Sequence, residues 1–316
     1  MRKGRALLAL LAAGVAIPIG ILSATAASAT SAPAGTIVFA RVARDDAFGA
    51  DDLYAERCQV GSLWEINADG SELRRLAGTT RGDCDPELSP DGSRLAFVSY
   101  RGGAASIWVA NADATNAVPL TRAADDFWPS WSPDGSQIVF ERPVADNDSE
   151  LYLVGADGSM LRHIAGGPDF DGTPDWNPIT GDLLVVSYGR TGFGSDSIGC
   201  KQDNAALYRL NSDGSHPRRL TRCTVSSLMP AWSPDGSAIA WSRNRSLAVM
   251  NADTTNVRIV AKGGEQPTWS PDGQWLAYVD GGGDGNLNIV RSDGTDRRVL
   301  PVPSSVIQGP SWNPIP

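Results

Sequence analysis

The sequence predicts an all-β protein, a six-bladed β-propeller built from four-stranded antiparallel blades. Three observations lead there. One phrase, Pro-x-Trp-Ser-Pro-Asp-Gly, recurs in six variants whose leading prolines (Pro86, Pro129, Pro174, Pro230, Pro267 and Pro310) lie 43, 45, 56, 37 and 43 residues apart. A period near 40 marks a repeat architecture. Each repeat contains four short extended runs separated by turn-forming residues, and the first and last repeats are incomplete in complementary ways.

The chain opens with the basic Met1-Arg-Lys-Gly-Arg5, runs apolar from Ala6 to Leu22 and reaches Ala27-Ser-Ala29. A basic start, a short apolar stretch and an Ala-x-Ala site read as a secretory signal peptide over residues 1–29. The alternative is a membrane anchor, against which Gly14, Pro18 and Gly20 count, as does the shortness of the apolar run. No later stretch is apolar enough to cross a bilayer.

Residues 30–316 are then the propeller. Thr36-Ile-Val-Phe-Ala-Arg41 is a second strand without a first, followed by Leu63-Trp-Glu-Ile-Asn67, a turn at Ala68-Asp-Gly-Ser71 and Leu73-Arg-Arg-Leu76. The repeat from Pro129 shows a whole unit. Pro129-Ser-Trp-Ser132 is extended, Pro133-Asp-Gly135 turns, and Gln137-Ile-Val-Phe-Glu141 is β-branched and aromatic. Glu150-Leu-Tyr-Leu-Val154 is the third strand, Ala156-Asp-Gly-Ser159 a tight turn and Met160-Leu-Arg-His-Ile164 the fourth. Tight, loose, tight connections between antiparallel strands make one blade. The chain stops at Trp312-Asn-Pro-Ile-Pro316, a first strand only. Pairing that strand with the N-terminal strands completes the sixth blade and removes free sheet edges.

The Trp-Ser-Pro-Asp-Gly phrase, the Asn-Ala-Asp-Gly-type turns and the fourth-strand Arg-Arg-Leu-Thr pattern resemble TolB-type β-propeller repeats over residues 36–316. The resemblance implies a scaffold used mainly for protein binding. Members of the TolB group also carry an α/β domain ahead of the propeller. This sequence is expected to be a stand-alone propeller without it. Related propellers precede serine peptidase domains, and no such domain is read here.

Formal net charge is −9, and removing Arg2, Lys3 and Arg5 with the signal peptide takes it to −12. Nucleic acid and anionic membrane surfaces want basic patches and are excluded as partners. The expected partner is a protein or peptide with a basic segment, met by a monomeric chain in the extracellular space or the cell envelope, including a periplasm.

The Pro-Asp-Gly and Asn-Ala-Asp-Gly turns share one face of the ring. The loops between second and third strands and the inter-blade loops share the other. Binding residues concentrate in irregular loops on a rigid scaffold, so function is expected on the second face. Two long loops there, 43–61 and 189–204, carry Cys58 and Cys200, while Cys84 and Cys223 lie in the inter-blade loops that follow. Four cysteines in an exported chain suggest disulfides, and Cys58–Cys84 with Cys200–Cys223 is the geometrically sensible pairing. A thiolate metal site is the rival reading.

Asp83, Asp126 and Asp171 lie three residues before their prolines. Together with Asp85, Asp125 and Asp169 they would ring the channel mouth and could hold Ca²⁺ or a partner's Lys or Arg. Alternatively, each aspartate caps its own inter-blade turn. No other cofactor is expected. The residue just before each proline (Asp85, Trp128, Thr173, Met229, Gln266, Gly309) should also face the mouth, where Trp128 and Met229 suit an extended peptide. The repeated tryptophans Trp131, Trp176, Trp232, Trp269 and Trp312 are expected to pack blade against blade rather than stack sugars.

No Gly-x-Ser-x-Gly elbow or His-Glu-x-x-His occurs, and His163 and His216 fall away from the mouth. The expectation is a non-catalytic binding module. The alternative is an exported carbohydrate-active enzyme using paired carboxylates near Asp126 and Asp171.

Overall fold

A computed structural model describes residues 33–43, 58–122, 125–145, 148–165, 171–187, 205–223, 225–280, 285–303 and 305–314. The expected signal peptide lies outside these residues. Residues 33–316 form one compact unit, made of six four-stranded antiparallel sheets.

The sheets follow the repeat. Blade 1 is β4 (Asp83–Leu88), β5 (Arg94–Ser99), β6 (Ser106–Asn111) and β7 (Val118–Pro119). Blade 2 is β8 (Phe127–Trp131), β9 (Gln137–Ala145), β10 (Asp148–Gly155) and β11 (Arg162–Ala165). Blade 3 is β12 (Asp171–Trp176), β13 (Leu183–Ser187), β14 (Ala206–Leu210) and β15 (Arg218–Arg219). Blade 4 is β16 (Ser227–Trp232), β17 (Ala238–Arg243), β18 (Ser246–Asn251) and β19 (Arg258–Lys262). Blade 5 is β20 (Gly264–Trp269), β21 (Trp275–Asp280), β22 (Leu287–Arg291) and β23 (Arg298–Val299). In the sixth blade, β24 (Ser305–Trp312) pairs with β1 (Thr36–Ala43), which pairs with β2 (Ser62–Asn67) and then β3 (Arg74–Arg75). The expected closure is therefore present. It runs from Ile37 opposite Trp312 to Ala43 opposite Ser305.

The phrase that defines the repeat builds the turn between first and second strands. Asp91 accepts from the hydroxyl of Ser89 and the amide of Ser93, while the amide of Arg94 donates to Ser89 Oγ. The same knot recurs around Asp134, Asp235 and Asp272. Each glycine of these turns has φ of 66–67°, a conformation that costs a glycine little. These aspartates are structural, and hydrogen bonds from Ser89 and Ser93 lower the Asp91 carboxyl to about 2.

The core lies between blades. Trp131 is 3% exposed and packs with Leu88, Leu95 and Val109 of blade 1. Its Nε1 donates to the Glu87 carbonyl, and the Arg94 guanidinium lies 4.5 Å from its ring centroid. Trp176, Trp232, Trp269 and Trp312 are buried in the same way, and Leu88 fills the blade 1 position. Packing is thus the role of the repeated tryptophans, because each seals the wedge between two twisted sheets.

Cys58 and Cys84 form a disulfide with a Cα–Cα distance of 5.3 Å. This is the expected first pair. It joins the connection before β2 to the start of β4. Cys200 lies outside the described residues, so its expected pairing with Cys223 does too, as do most of the two long loops. Among the described residues no cysteine is free, and no helix is long and apolar enough to cross a membrane.

Candidate functional site

The inner strands β4, β8, β12, β16, β20 and β24 wall a central cavity of about 460 Å³. Two rings of six prolines line it. One is the repeat-leading set (Pro86 to Pro310), the other the turn set (Pro90 to Pro314).

Every inner strand carries the same irregularity. Two of its residues oppose one residue of the second strand, which is a β-bulge. Asp85 and Pro86 together oppose Phe97, Trp128 and Pro129 oppose Phe140, and Met229 and Pro230 oppose Trp241. Thr173 and Pro174 oppose Val185, Gln266 and Pro267 oppose Tyr278, and Gly309 and Pro310 oppose Phe39. The first bulge residue has a left-handed φ of 46–54° in all six blades, though only Gly309 is a glycine. A side chain in that region costs about 1–2 kcal/mol. Proline at the second position cannot donate to the ladder, and it bars the residue before it from the right-handed helical region. Strain of this kind is held where a fold must present a particular side chain.

All six bulge residues line the channel. Asp85 is buried, and Trp128, Thr173, Met229, Gln266 and Gly309 are half-buried. Gln266 also accepts the Gly309 amide at 2.8 Å.

The three aspartates placed earlier in each repeat lie differently. Asp83 is fully buried and held by Arg101 at 2.7 Å, with further bonds from the Thr80 amide and the Ser99 hydroxyl. Asp126 is fully buried and held by Arg142 through two bonds of 2.6 and 2.9 Å. Each arginine in turn stacks on an aromatic of the third strand, Arg101 on Trp108 and Arg142 on Tyr152. Their oxygens are thus committed to neighbours within the blade, and Asp83 does cap its own inter-blade turn. Asp171 pairs with Ser187 at the start of β12, and its side chain lies outside the described residues. Asp125 is exposed and accepts the Ala105 amide. Among the described residues, Cys58, Cys84 and Asp85 form the one group spaced to hold a metal ion. The disulfide removes both thiolates from that set.

Two carboxyls that the sequence reading did not single out lie in the channel wall, Glu87 and Asp175. They occupy the x of Pro-x-Trp. Side chains alternate along a strand, so this position points away from the tryptophan, toward the following blade. Glu87 Oε1 accepts the Trp131 amide at 3.1 Å, and Asp175 Oδ2 accepts the Trp232 amide at 2.6 Å. Thr268 and Ser311 accept the Trp312 and Leu88 amides in the same manner. The Ser130 hydroxyl, on the blade between, bonds Glu87 at 3.3 Å and also holds Asp175. Burial pushes the Glu87 carboxyl well above its ordinary range, and the nearby Asp175 charge adds to this. Burial also raises Asp175 to about 7. Behind the wall, Glu141 is raised to about 7 by burial while it accepts the Thr173 amide at 3.2 Å. The described channel lining contains Asp85, Glu87 and Asp175 and no Lys, Arg or His.

Residues 67–316 match the family model of the TolB β-propeller domain. The chain belongs to that family. A TolB homolog from Chlorobium luteolum is 26% identical over 145 residues, covering 46% of this chain and 33% of that one. The match thus spans about a third of that relative's length. Among solved structures, TolB from Acinetobacter baumannii superposes with a TM-score of 0.70 at 21% identity, over 88% of this chain and 66% of that one. An oligogalacturonate lyase in complex with manganese superposes with a TM-score of 0.52 at 14% identity, over 75% of this chain and 70% of that one. At these identities the two structures show a shared fold.

Proposed function

We propose that this TolB-type propeller is an exported, non-catalytic docking module that takes a protein or peptide with a basic segment at the mouth of its channel. The observation that supports it is the sign of the lining. The described lining carries the carboxyls of Glu87 and Asp175 and no Lys, Arg or His, and Trp128 and Met229 supply apolar contact at the same mouth. A low-dielectric cavity with charges of one sign focuses its field and attracts the opposite charge. Rigid strands hold the binding side chains, so little freedom is lost when a partner arrives.

The alternative of a carboxylate-pair enzyme at Asp126 and Asp171 has less to support it. Asp126 is bound to Arg142. His163 lies on the outer strand β11 beside Glu150 and Tyr152, and neither it nor His216 lines the channel.

Isothermal titration calorimetry with lysine-containing and glutamate-containing peptides tests the reading. The expected result is saturable binding of the basic peptides alone, weakening as salt rises from 50 to 500 mM. Replacing Trp128 and Met229 by Ala should weaken it by roughly 1–3 kcal/mol. Equal binding of both peptide types, or cleavage of a polysaccharide by the purified protein, would overturn it.

A further inference from the structure

Glu87 and Asp175 stand on blades 1 and 3, with Ser130 of blade 2 between them. Three features set this pair apart from the other acids of the molecule. First, each is anchored, because the Trp131 and Trp232 amides hold one oxygen of each in place, so neither carboxyl can swing out to solvent without breaking an inter-blade bond. Second, Asp83 and Asp126 are each matched by an arginine, whereas the described lining around Glu87 and Asp175 contains no basic residue. Third, the two feel each other across Ser130, so the charge of one opposes the charge of the other. The groups facing them are few. The neighbouring strand β8 presents the Ser130 hydroxyl and the Trp131 amide, and β16 presents the Trp232 amide. On β4 itself Asp85 lies above at the mouth, and Glu141 of β9 is turned to the Thr173 amide.

We propose that Glu87 and Asp175 form a proton-operated switch that sets the charge of the channel, so that a cationic segment is admitted when both are ionised and released when they take up protons. The use of this switch rests on the docking function proposed above, and the switch itself does not. Taking one proton from bulk relieves the repulsion between two fixed carboxylates, and Ser130 can turn its hydroxyl toward whichever remains ionised. Losing both protons leaves two negative charges in a cavity with no Lys, Arg or His among its described lining residues. A lysine ammonium or arginine guanidinium supplies that counter-charge. Both carboxyls are displaced upward, Glu87 well above its ordinary range and Asp175 to about 7.

Two measurements on the full propeller test this, with pentalysine as the probe. In the ligand-free protein, carboxyl carbon NMR from pH 5 to 8 should show Glu87 and Asp175 both titrating above the ordinary carboxylate range. In binding, pentalysine affinity should rise about tenfold or more over the same range, because an opposite charge at close range stabilises the ionised carboxyl by one to three logarithmic steps. The double variant Glu87→Gln, Asp175→Asn retains acceptors for both tryptophan amides, so the fold is kept. It should bind weakly with a flat profile. If both carboxyls titrate below pH 5, the switch is overturned whatever pentalysine does. If pentalysine binds with the same affinity at pH 5 and pH 8, the switch is overturned and the docking reading stands. If both carboxyls titrate in the stated range and pentalysine binds at no pH, the docking reading is overturned while the proton uptake remains.

Discussion

Trp131 shows how much one side chain of the repeat does. It is 3% exposed, donates from Nε1 to the Glu87 carbonyl, and lies under the Arg94 guanidinium, which itself donates to the Gly135 carbonyl at 2.6 Å. Truncating a buried tryptophan removes its transfer energy and leaves a cavity, so Trp131→Ala should cost about 3–5 kcal/mol in a urea denaturation series. Glu141 is the complementary case, a charge that folding disfavours. Its folded carboxyl lies at about 7 against an ordinary 4.5, because burial outweighs the bonds from Ser149 and the Thr173 amide. Between those two values the folded chain keeps a proton that the unfolded chain has released. Its stabilising contribution is therefore full below about pH 4.5 and is lost as pH rises through 7. Glu141→Gln, which keeps a neutral acceptor, should raise stability at pH 8 by roughly 2 kcal/mol and leave it little changed at pH 4.5. Melting temperatures at the two pH values check this, and a variant that loses stability equally at both would contradict the burial argument.

At the scale of elements, the bulge is the device that turns a uniform repeat into a varied channel. The backbone is nearly the same six times, so the residue before proline can differ freely from blade to blade. Gly309 is the exception. A β-carbon there would approach Asp85 Cα and Oδ1 to 3.2 Å, and five non-glycine residues tolerate the same φ elsewhere, so crowding by blade 1 rather than backbone angle selects glycine. Gly309→Ala should cost about 1 kcal/mol. Gln266→Gly should cost about 1–2 kcal/mol, since relief of the left-handed strain is outweighed by loss of the acceptor for the Gly309 amide and by added chain entropy. The disulfide acts on the element beside this one. Cys58 and Cys84 are both fully buried and 26 residues apart, and closing a loop of that size is worth roughly 3 kcal/mol. Cys58→Ser with Cys84→Ser should shift the urea midpoint accordingly and leave blades 2 to 5 intact by hydrogen exchange.

For the whole molecule, the closing blade decides whether a ring exists. β24 supplies the inner strand that β1 needs, and the interface between blades 6 and 1 includes the Ser311 bond to the Leu88 amide. Deleting residues 305–316 should expose the edge of β1 and the inter-blade face of Leu88, and produce aggregation on size-exclusion chromatography instead of a stable five-bladed form. The ring also explains why local pattern placed some channel-lining residues and missed others. Trp128, Met229 and Gln266 were legible because they precede a proline at a fixed place in the period. Glu87 and Asp175 were not, because one reads as an ordinary acid in each repeat and only ring closure brings blades 1 and 3 to a common wall. Asp83 and Asp126 misled for the converse reason. Their acidity was visible, while Arg101 and Arg142, 18 and 16 residues further on, reach them only through strand pairing.

The sequence alone determined the period, the four strands of each blade, the turn chemistry and the closure, because these depend on local alternation and on turn residues within a few positions. It also determined the Cys58–Cys84 pair, which follows from the face each loop occupies. Tertiary structure alone decided which carboxylates are held by an arginine and which line the channel. That choice depends on the desolvation and counter-charges each oxygen meets after folding, and these come from residues distant in the chain.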